Sequence, residues 1–337
     1  MISQTAEVRR KTFRESLIDT VQSKNEVLFK AAAHLLEVEG KSIRPRCARL
    51  IGEAANPDAP LTEAHERLAE AVEMLHVGSL IHDDMLDEAE LRRSVPSVHV
   101  KFGAKAAVLA GDFLLARSCG LIASLGHHRL NQRMAEVLAG LCEGEYLQDE
   151  QLWNLDVTVE AYLERMALKT SGPFELACEG AALLSGQRDE VVQAARRFGY
   201  HLGLLFQMFD DLLDFASSTE MAGKPVGQDL LAGSLTLPVI VALEDPNVGP
   251  VMRRMLSPFP QEIHPELKEL LFSPEVFKKS LARLEAEALT ARTCLDLFPE
   301  SPAKDQLFEY LDKLSDQARS LSPEAALPTL GAAAHVV

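Results

Sequence analysis

The chain has 337 residues, of which 47% are hydrophobic and 25% charged, the proportions of an ordinary globular protein. A net charge of −16, from 34 basic and 50 acidic side chains, argues against nucleic acid or an anionic membrane surface as a partner. Five separated cysteines (Cys47, Cys119, Cys142, Cys178, Cys294) show no CxxC or Cys/His metal spacing and read as reduced thiols of a cytoplasmic protein.

The opening stretch, MISQTAEVRRKTFRESLIDT, has no apolar core and carries Glu7, Glu15 and Asp19, so neither a secretory signal nor a transit peptide is expected. Helical periodicity then dominates. In EAHERLAEAVEMLHVGSLIHDDMLDEAE (63–90), Leu68, Val72, Leu75 and Ser79 recur on one side at steps of three and four. Comparable patterns run through 104–125, 132–151, 159–184 and 190–215. Short turn-rich stretches separate them: AANPDAP, RRSVPS, SLGHHRLN, LSGQRDE and EDPNVGP. The longest near-continuous apolar run, LTLPVIVAL (235–243), is well short of the ~18 residues of a membrane span. Alternating strand patterns are absent. The expectation is an all-α chain forming one large helical domain over 1–321, with 322–337 a flexible tail. The stretches 104–125, 132–149 and 188–215 are expected to be buried on more than one face.

Two motifs carry the chemistry. SLIHDDMLDEAELRRSVPS (79–97) and LLFQMFDDLLDF (204–215) each follow an apolar approach with crowded aspartates. Successive helical residues turn by ~100°, which stacks Asp83 over Asp87 with Asp84 beside them, and likewise Asp210, Asp211 and Asp214. A single such motif is usually a solvated acidic helix end. Two copies, both led by apolar residues, favour hard cations such as Mg²⁺, which takes one or two carboxylates, water and substrate phosphate oxygens. Lys41, Arg44, Arg92, Arg93, Lys169 and Lys224 sit at turns or helix ends and can grip diphosphate directly.

The ordered motifs GKSIRP, EMLHVGSLIHDDMLDEAELRRSVPS, AGDFLLARS, EGEYLQ, YLERMALKT, GLLFQMFDDLLDF and GKPVGQDLLAGSLTLP resemble the trans-isoprenyl diphosphate synthase (polyprenyl synthetase) family. The resemblance implies the isoprenoid synthase fold, a single helical bundle around a central catalytic cavity, usually as a homodimer. It implies condensation of isopentenyl diphosphate with an allylic diphosphate such as farnesyl or geranylgeranyl diphosphate, with three Mg²⁺ ions, for which Mn²⁺ is an acceptable substitute. By motif match, Asp83, Asp87 and Asp210 ligate metal, supported by Asp84, Asp211 and Asp214. Arg92, Lys169 and Lys224 hold the allylic diphosphate, and Lys41, Arg44, His76 and Arg93 hold isopentenyl diphosphate. Thr170 and Gln207 line the reacting carbons. A transient membrane contact would serve product release. Three residues depart from the pattern: Ser42 in GKSIRP, Ser94 where glycine is usual, and Ser234 where lysine is usual.

Product length is read from Leu75, Gly78 and Ser79 before the first aspartate motif, and from Ala116, Cys119, Gly120 and Ala123 on the neighbouring helix. All but Leu75 are small, and no aromatic lies between Val72 and Asp83. Small residues also let helices pack closely, but a deep channel and a medium- or long-chain product are favoured. The alternatives are a short-chain synthase, a terpene cyclase and a non-catalytic subunit of a heteromeric synthase. The intact DDLLD and the preserved aspartates speak against the last two.

Overall fold

The computed structural model of the chain describes residues 11–216 and 227–323. Lys224 and most of the expected tail lie outside the described residues. The helices are α1 (Phe13–Thr20), α2 (Glu26–Ala33), α3 (Ile43–Ala55), α4 (Glu63–Leu86), α5 (Val98–Phe102), α6 (Ala104–Ser124), α7 (His128–Gln151), α8 (Val159–Met166), α9 (Gly172–Leu184) and α10 (Asp189–Ala216). After them come α11 (Gln228–Leu231), α12 (Leu237–Glu244), α13 (Gly249–Met255), α14 (Pro265–Leu271), α15 (Pro274–Cys294) and α16 (Pro302–Ser320). The all-α expectation holds. The one exception among the described residues is a hairpin missed by the sequence reading, β1 (Leu91–Arg92) paired antiparallel with β2 (Val95–Pro96). Its two-residue turn places Arg93 (φ 52°) and Ser94 (φ 63°) in the left-handed region. Tight hairpins need that conformation, and the strand twist selects it. Serine at 94 accepts backbone strain that glycine would not.

Helix starts follow local chemistry. The Thr12 hydroxyl accepts from the Glu15 N–H while the Glu15 carboxylate accepts from the Thr12 N–H, a reciprocal cap. Asn25, Thr158 and Ser301 cap α2, α8 and α16 through their side-chain oxygens.

The chain falls into two compact units. One comprises residues up to Arg49 together with Leu61–Gln132, and the other Leu50–Pro60 together with the residues from Arg133 on. In the first, α6 lies along α4. Ala107, Ala110, Gly111, Leu114, Ser118 and Ile122 form a buried stripe on α6, and the Ser118 hydroxyl donates to the Ala71 carbonyl at 2.7 Å. Gly78 marks the closest approach, where a Cβ would stand 3.1 Å from Leu115 Cδ2 and 3.3 Å from the Gly111 carbonyl.

The opposite face of α6 corrects two expectations. Val108, Leu109, Ala116, Gly120 and Ala123 are exposed in the chain, so 104–125 is buried on one side only. Ala116, Gly120 and Ala123 also lie away from the Leu75–Ser79 face, because the α6 residues on that side are Gly111, Leu114 and Ser118. Ala135, Ala139, Cys142 and Tyr146 leave 132–149 similarly open. By length and composition alone α6 could cross a membrane, but Lys105, Asp112 and Arg117 interrupt it and a third of its apolar window is buried in this unit.

In the second unit α10 does bury a broad apolar face, including Phe198, Leu202, Leu205, Met208, Leu212 and Phe215. Gly199 and Gly203, one turn apart, let it close onto the chain around α9. A Cβ at Gly199 would sit 2.5 Å from the Phe174 carbonyl oxygen, and one at Gly203 would sit 2.6 Å from Ser171 Cα. Because backbone cannot swing aside, Gly199→Ala is expected to cost about 1–3 kcal/mol. Denaturant unfolding measures this, and an unchanged midpoint would mean the two segments do not approach so closely.

Candidate active site

In the first unit, α4 carries Glu73 and His76 one turn apart and, about two turns further on, the adjacent Asp83 and Asp84. Asp83 is half-buried, Asp87 caps the helix and is exposed, and Asp84 is wholly buried. Asp84 Oδ1 accepts from Arg92 Nε at 2.7 Å and Nη2 at 2.5 Å, so the motif's middle carboxylate anchors an arginine of the hairpin. Asp84 Oδ2 has no hydrogen-bond partner among the described residues.

One to two turns back, desolvation by the surrounding protein and then the charges of Arg44, Arg93 and Arg92 hold His76 well below its ordinary pKa. Both effects favour the neutral imidazole. Burial pushes the Glu73 carboxyl up, while Arg44, Arg93 and a hydrogen bond from Ser42 pull it the other way. Arg93 donates to the Leu35 carbonyl at 3.4 Å. Its guanidinium fills the space over Gly40, where a Cβ would come within 2.6 Å. A side chain at position 40 would make the Arg93 guanidinium move aside. Gly40, Ser42, Glu73 and Arg93 line part of a cavity of about 390 Å³, and Lys41 beside them is exposed.

Of the chain-length candidates, Leu75 is fully buried and Gly78 packs on α6, so close packing accounts for that glycine. Ser79 is half-buried and donates to the His76 carbonyl at 2.9 Å.

In the second unit, a π-helical turn (Ala167–Ser171) joins α8 to α9 and carries Lys169 and Thr170. Such turns are often found at functional sites. Lys169 Nζ lies 2.5 Å from Glu145 and donates to Gln148 at 3.0 Å. Thr170 Oγ1 donates to Gln207 Oε1 at 3.1 Å, and Gln207 Nε2 donates to Asp211 Oδ1 at 3.0 Å. Asp211 Oδ2 accepts from the Tyr162 hydroxyl at 2.7 Å and the Leu237 N–H at 3.2 Å. Asp211 is therefore buried with both oxygens in use. Burial still lifts its pKa to about 6, against the pull of these donors, and the neighbouring Asp210 adds to the rise. Asp210 is exposed and Asp214 half-buried. Desolvation and the charges of Asp211, Asp214 and Asp210 push Asp229 up to about 7.

A cavity of about 150 Å³ is lined by Tyr162, Arg165, Lys169, Thr170, Gln207, Asp211, Asp229 and Ser234. Of these, Tyr162, Arg165 and Asp229 escaped the sequence reading, as did Glu73 in the first unit. Their signal was present: Glu73 is an acid inside the apolar run AVEMLHV, and Tyr162 and Arg165 share a helix face leading into Lys169.

No three His, Cys, Asp or Glu side chains are gathered closely enough to hold a metal alone, among the described residues. The donors offered are carboxylates on helix ends, with no sulfur and no imidazole cluster. An ion here would complete its shell with water and phosphate oxygens, which fits Mg²⁺.

The sequence profile of the family described as Polyprenyl synthetase matches residues 25–270. The chain is 37% identical over 299 residues to a prenyl transferase of Synechocystis, covering 88% of this chain and 92% of the relative. It is 40% identical over 236 residues to the chloroplastic solanesyl diphosphate synthase 1 of Arabidopsis thaliana, covering 69% of this chain and 58% of that one. The crystal structure of heptaprenyl diphosphate synthase from Staphylococcus aureus superposes with a TM-score of 0.84 at 27% identity, covering 90% of this chain and 96% of that one. With ordered motifs, helical architecture and family profile in agreement, the chain belongs to the polyprenyl synthetase family and is an enzyme of the prenyltransferase type.

Proposed function

We propose that the protein condenses isopentenyl diphosphate with an allylic diphosphate such as farnesyl or geranylgeranyl diphosphate, and repeats the step to a medium- or long-chain polyprenyl diphosphate. The observation that carries this reading is the helix end bearing Asp83 and Asp87, whose inward Asp84 holds Arg92 of the adjoining hairpin while Arg93 of the same hairpin lies over Gly40. Guanidinium groups held in place beside such a helix end suit a bound diphosphate.

Lys41, Arg44, His76 and Arg93 bind isopentenyl diphosphate, with Glu73 keeping the arginines in place. Asp83, Asp87, Asp210 and Asp214 would hold Mg²⁺, three ions in all. When bound, Mg²⁺ stabilises the diphosphate charge that develops as the allylic C–O bond breaks. Asp84 holds Arg92, which by motif match is a ligand of the allylic diphosphate, and the same match makes Lys169 a ligand. The Thr170 hydroxyl donates its hydrogen bond to Gln207 Oε1, so its oxygen lone pairs remain available to the developing allylic cation. Asp211 fixes the Gln207 amide so that Oε1 faces Thr170. The isopentenyl double bond then attacks C1, and the departing diphosphate accepts the final proton.

The open apolar faces of α6 and α7 support a homodimer. The five cysteines, free in the described chain, support a cytoplasmic setting. The solanesyl and heptaprenyl products named for two relatives favour a long chain.

Two outcomes test this function. Chelation of divalent metal is expected to abolish incorporation of labelled isopentenyl diphosphate. Asp83→Ala and Asp210→Ala are each expected to lower turnover by about 10²-fold or more with the circular dichroism unchanged. Activity that survives chelation would contradict the mechanism. Product length is tested at Ser79, one turn before Asp83 on nearly the same helix face. Wild type is expected to make products longer than about twenty carbons, and Ser79→Phe products of about fifteen to twenty, because a packed site cannot absorb the ring. Identical product chromatograms would remove Ser79 from the channel.

A further inference from the structure

Arg165 is the largest fully buried side chain among the described residues, 1% exposed. Its Nη2 donates to the Leu235 carbonyl at 2.7 Å, and its guanidinium carbon stands 5.8 Å from the centre of the Tyr162 ring. Nε and Nη1 have no hydrogen-bond partner among the described residues. An arginine carries five N–H donors, and burying its charge without an anion is costly. The side chain nevertheless lines the second unit's cavity, together with Lys169, Ser234 and Thr236. Thr236 Oγ1 is also buried there without a partner.

The acids in this cavity do not meet the need. Asp211 has its oxygens committed to Tyr162, Gln207 and the Leu237 N–H. Asp211 and, less strongly, Asp229 attract Arg165 electrostatically, but neither forms a hydrogen bond or ion pair with it among the described residues. Lys169, the cavity's other cation, is already held by Glu145. What remains is a preformed fork of donors beside an orphan hydroxyl, facing a small polar space. That arrangement fits an anion with several oxygens, bound through parallel N–H···O bonds.

We propose that Arg165 is a ligand of the allylic diphosphate and supplies the charge that uncharged Ser234, on the same cavity wall, does not. The assignment rests on the prenyl-transfer reading above. It makes Arg165 a specificity residue for the primer and not for isopentenyl diphosphate, because it lines one cavity with Lys169, a proposed primer ligand.

The test compares wild type with Arg165→Met, Arg165→Lys and the double variant Arg165→Met/Ser234→Lys. It reads KM for farnesyl diphosphate and for isopentenyl diphosphate at saturating Mg²⁺, with calorimetric binding of inorganic pyrophosphate as a readout independent of turnover. Arg165→Met is expected to raise the primer KM and weaken pyrophosphate binding by about tenfold or more, leaving the isopentenyl diphosphate KM within about twofold. Lysine at 234 in that background is expected to restore most of the loss. Arg165→Lys, which keeps the charge and loses the fork, is expected to weaken primer binding by about three- to tenfold. It decides the matter if Arg165→Met does not fold. Primer and pyrophosphate affinities unchanged in Arg165→Lys, or a Met variant that only loses thermal stability, would overturn the assignment. A wild-type protein that consumes no isopentenyl diphosphate would instead overturn the prenyl-transfer reading itself.

Discussion

Two adjacent carboxylates on a helix point in different directions, and here the buried face takes one of each pair. Successive residues are turned by ~100°, so burying one side of the helix carries one aspartate in and leaves its neighbour outside. Both motifs of this chain resolve the constraint in the same way. Asp84 and Asp211 go inward, at 0% and 1% exposure, while Asp83 and Asp210 remain accessible. A buried carboxylate needs donors. Arg92 supplies them to Asp84, and Tyr162, Gln207 and the Leu237 N–H supply them to Asp211. The inward aspartates therefore organise the surrounding side chains, and the outward ones are left for ions and substrate. Asp84 draws in the hairpin that also bears Arg93. Asp211 fixes Gln207, and through it the Thr170 hydroxyl.

The cationic side follows from the same economy of partners. Arg93 reaches its place because Gly40 has no Cβ and because the hairpin turn takes up two left-handed residues. Glu73, buried one turn before His76, offsets part of the repulsion among the arginines and leaves an excess of positive charge. Burial first, and then the charges of Arg44, Arg93 and Arg92, hold the His76 pKa well below its ordinary value, which favours an imidazole that adds nothing to the repulsion. An anion binding there replaces repulsion between cations with attraction, and this favours diphosphate over neutral ligands.

The fold class and the aspartate motifs were legible because helical periodicity and motif order are local features. The relation of each aspartate to its partner was not, since Arg92 is eight residues from Asp84 and Tyr162 is forty-nine from Asp211. The hairpin was read as a turn because two-residue strands are too short to alternate. The small residues of α6 divided in a way composition could not foresee: Gly111 and Ser118 face α4, whereas Ala116, Gly120 and Ala123 face outward. Helical phase separates the sets, and phase becomes decisive only when the packing partner is known. Arg165 was passed over because an arginine in YLERM reads as an ordinary solvated charge.

The division of labour within each aspartate pair is tested most directly by thermal unfolding of the metal-free protein. Asp84→Asn and Asp211→Asn are expected to lower the midpoint by several degrees each, since each disturbs a buried carboxylate with its donors, an effect of about 2 kcal/mol or more. Asp83→Asn and Asp210→Asn, at accessible positions, are expected to move it by less than about 2 °C. The reverse ranking, with the accessible aspartates carrying the stability, would contradict the account.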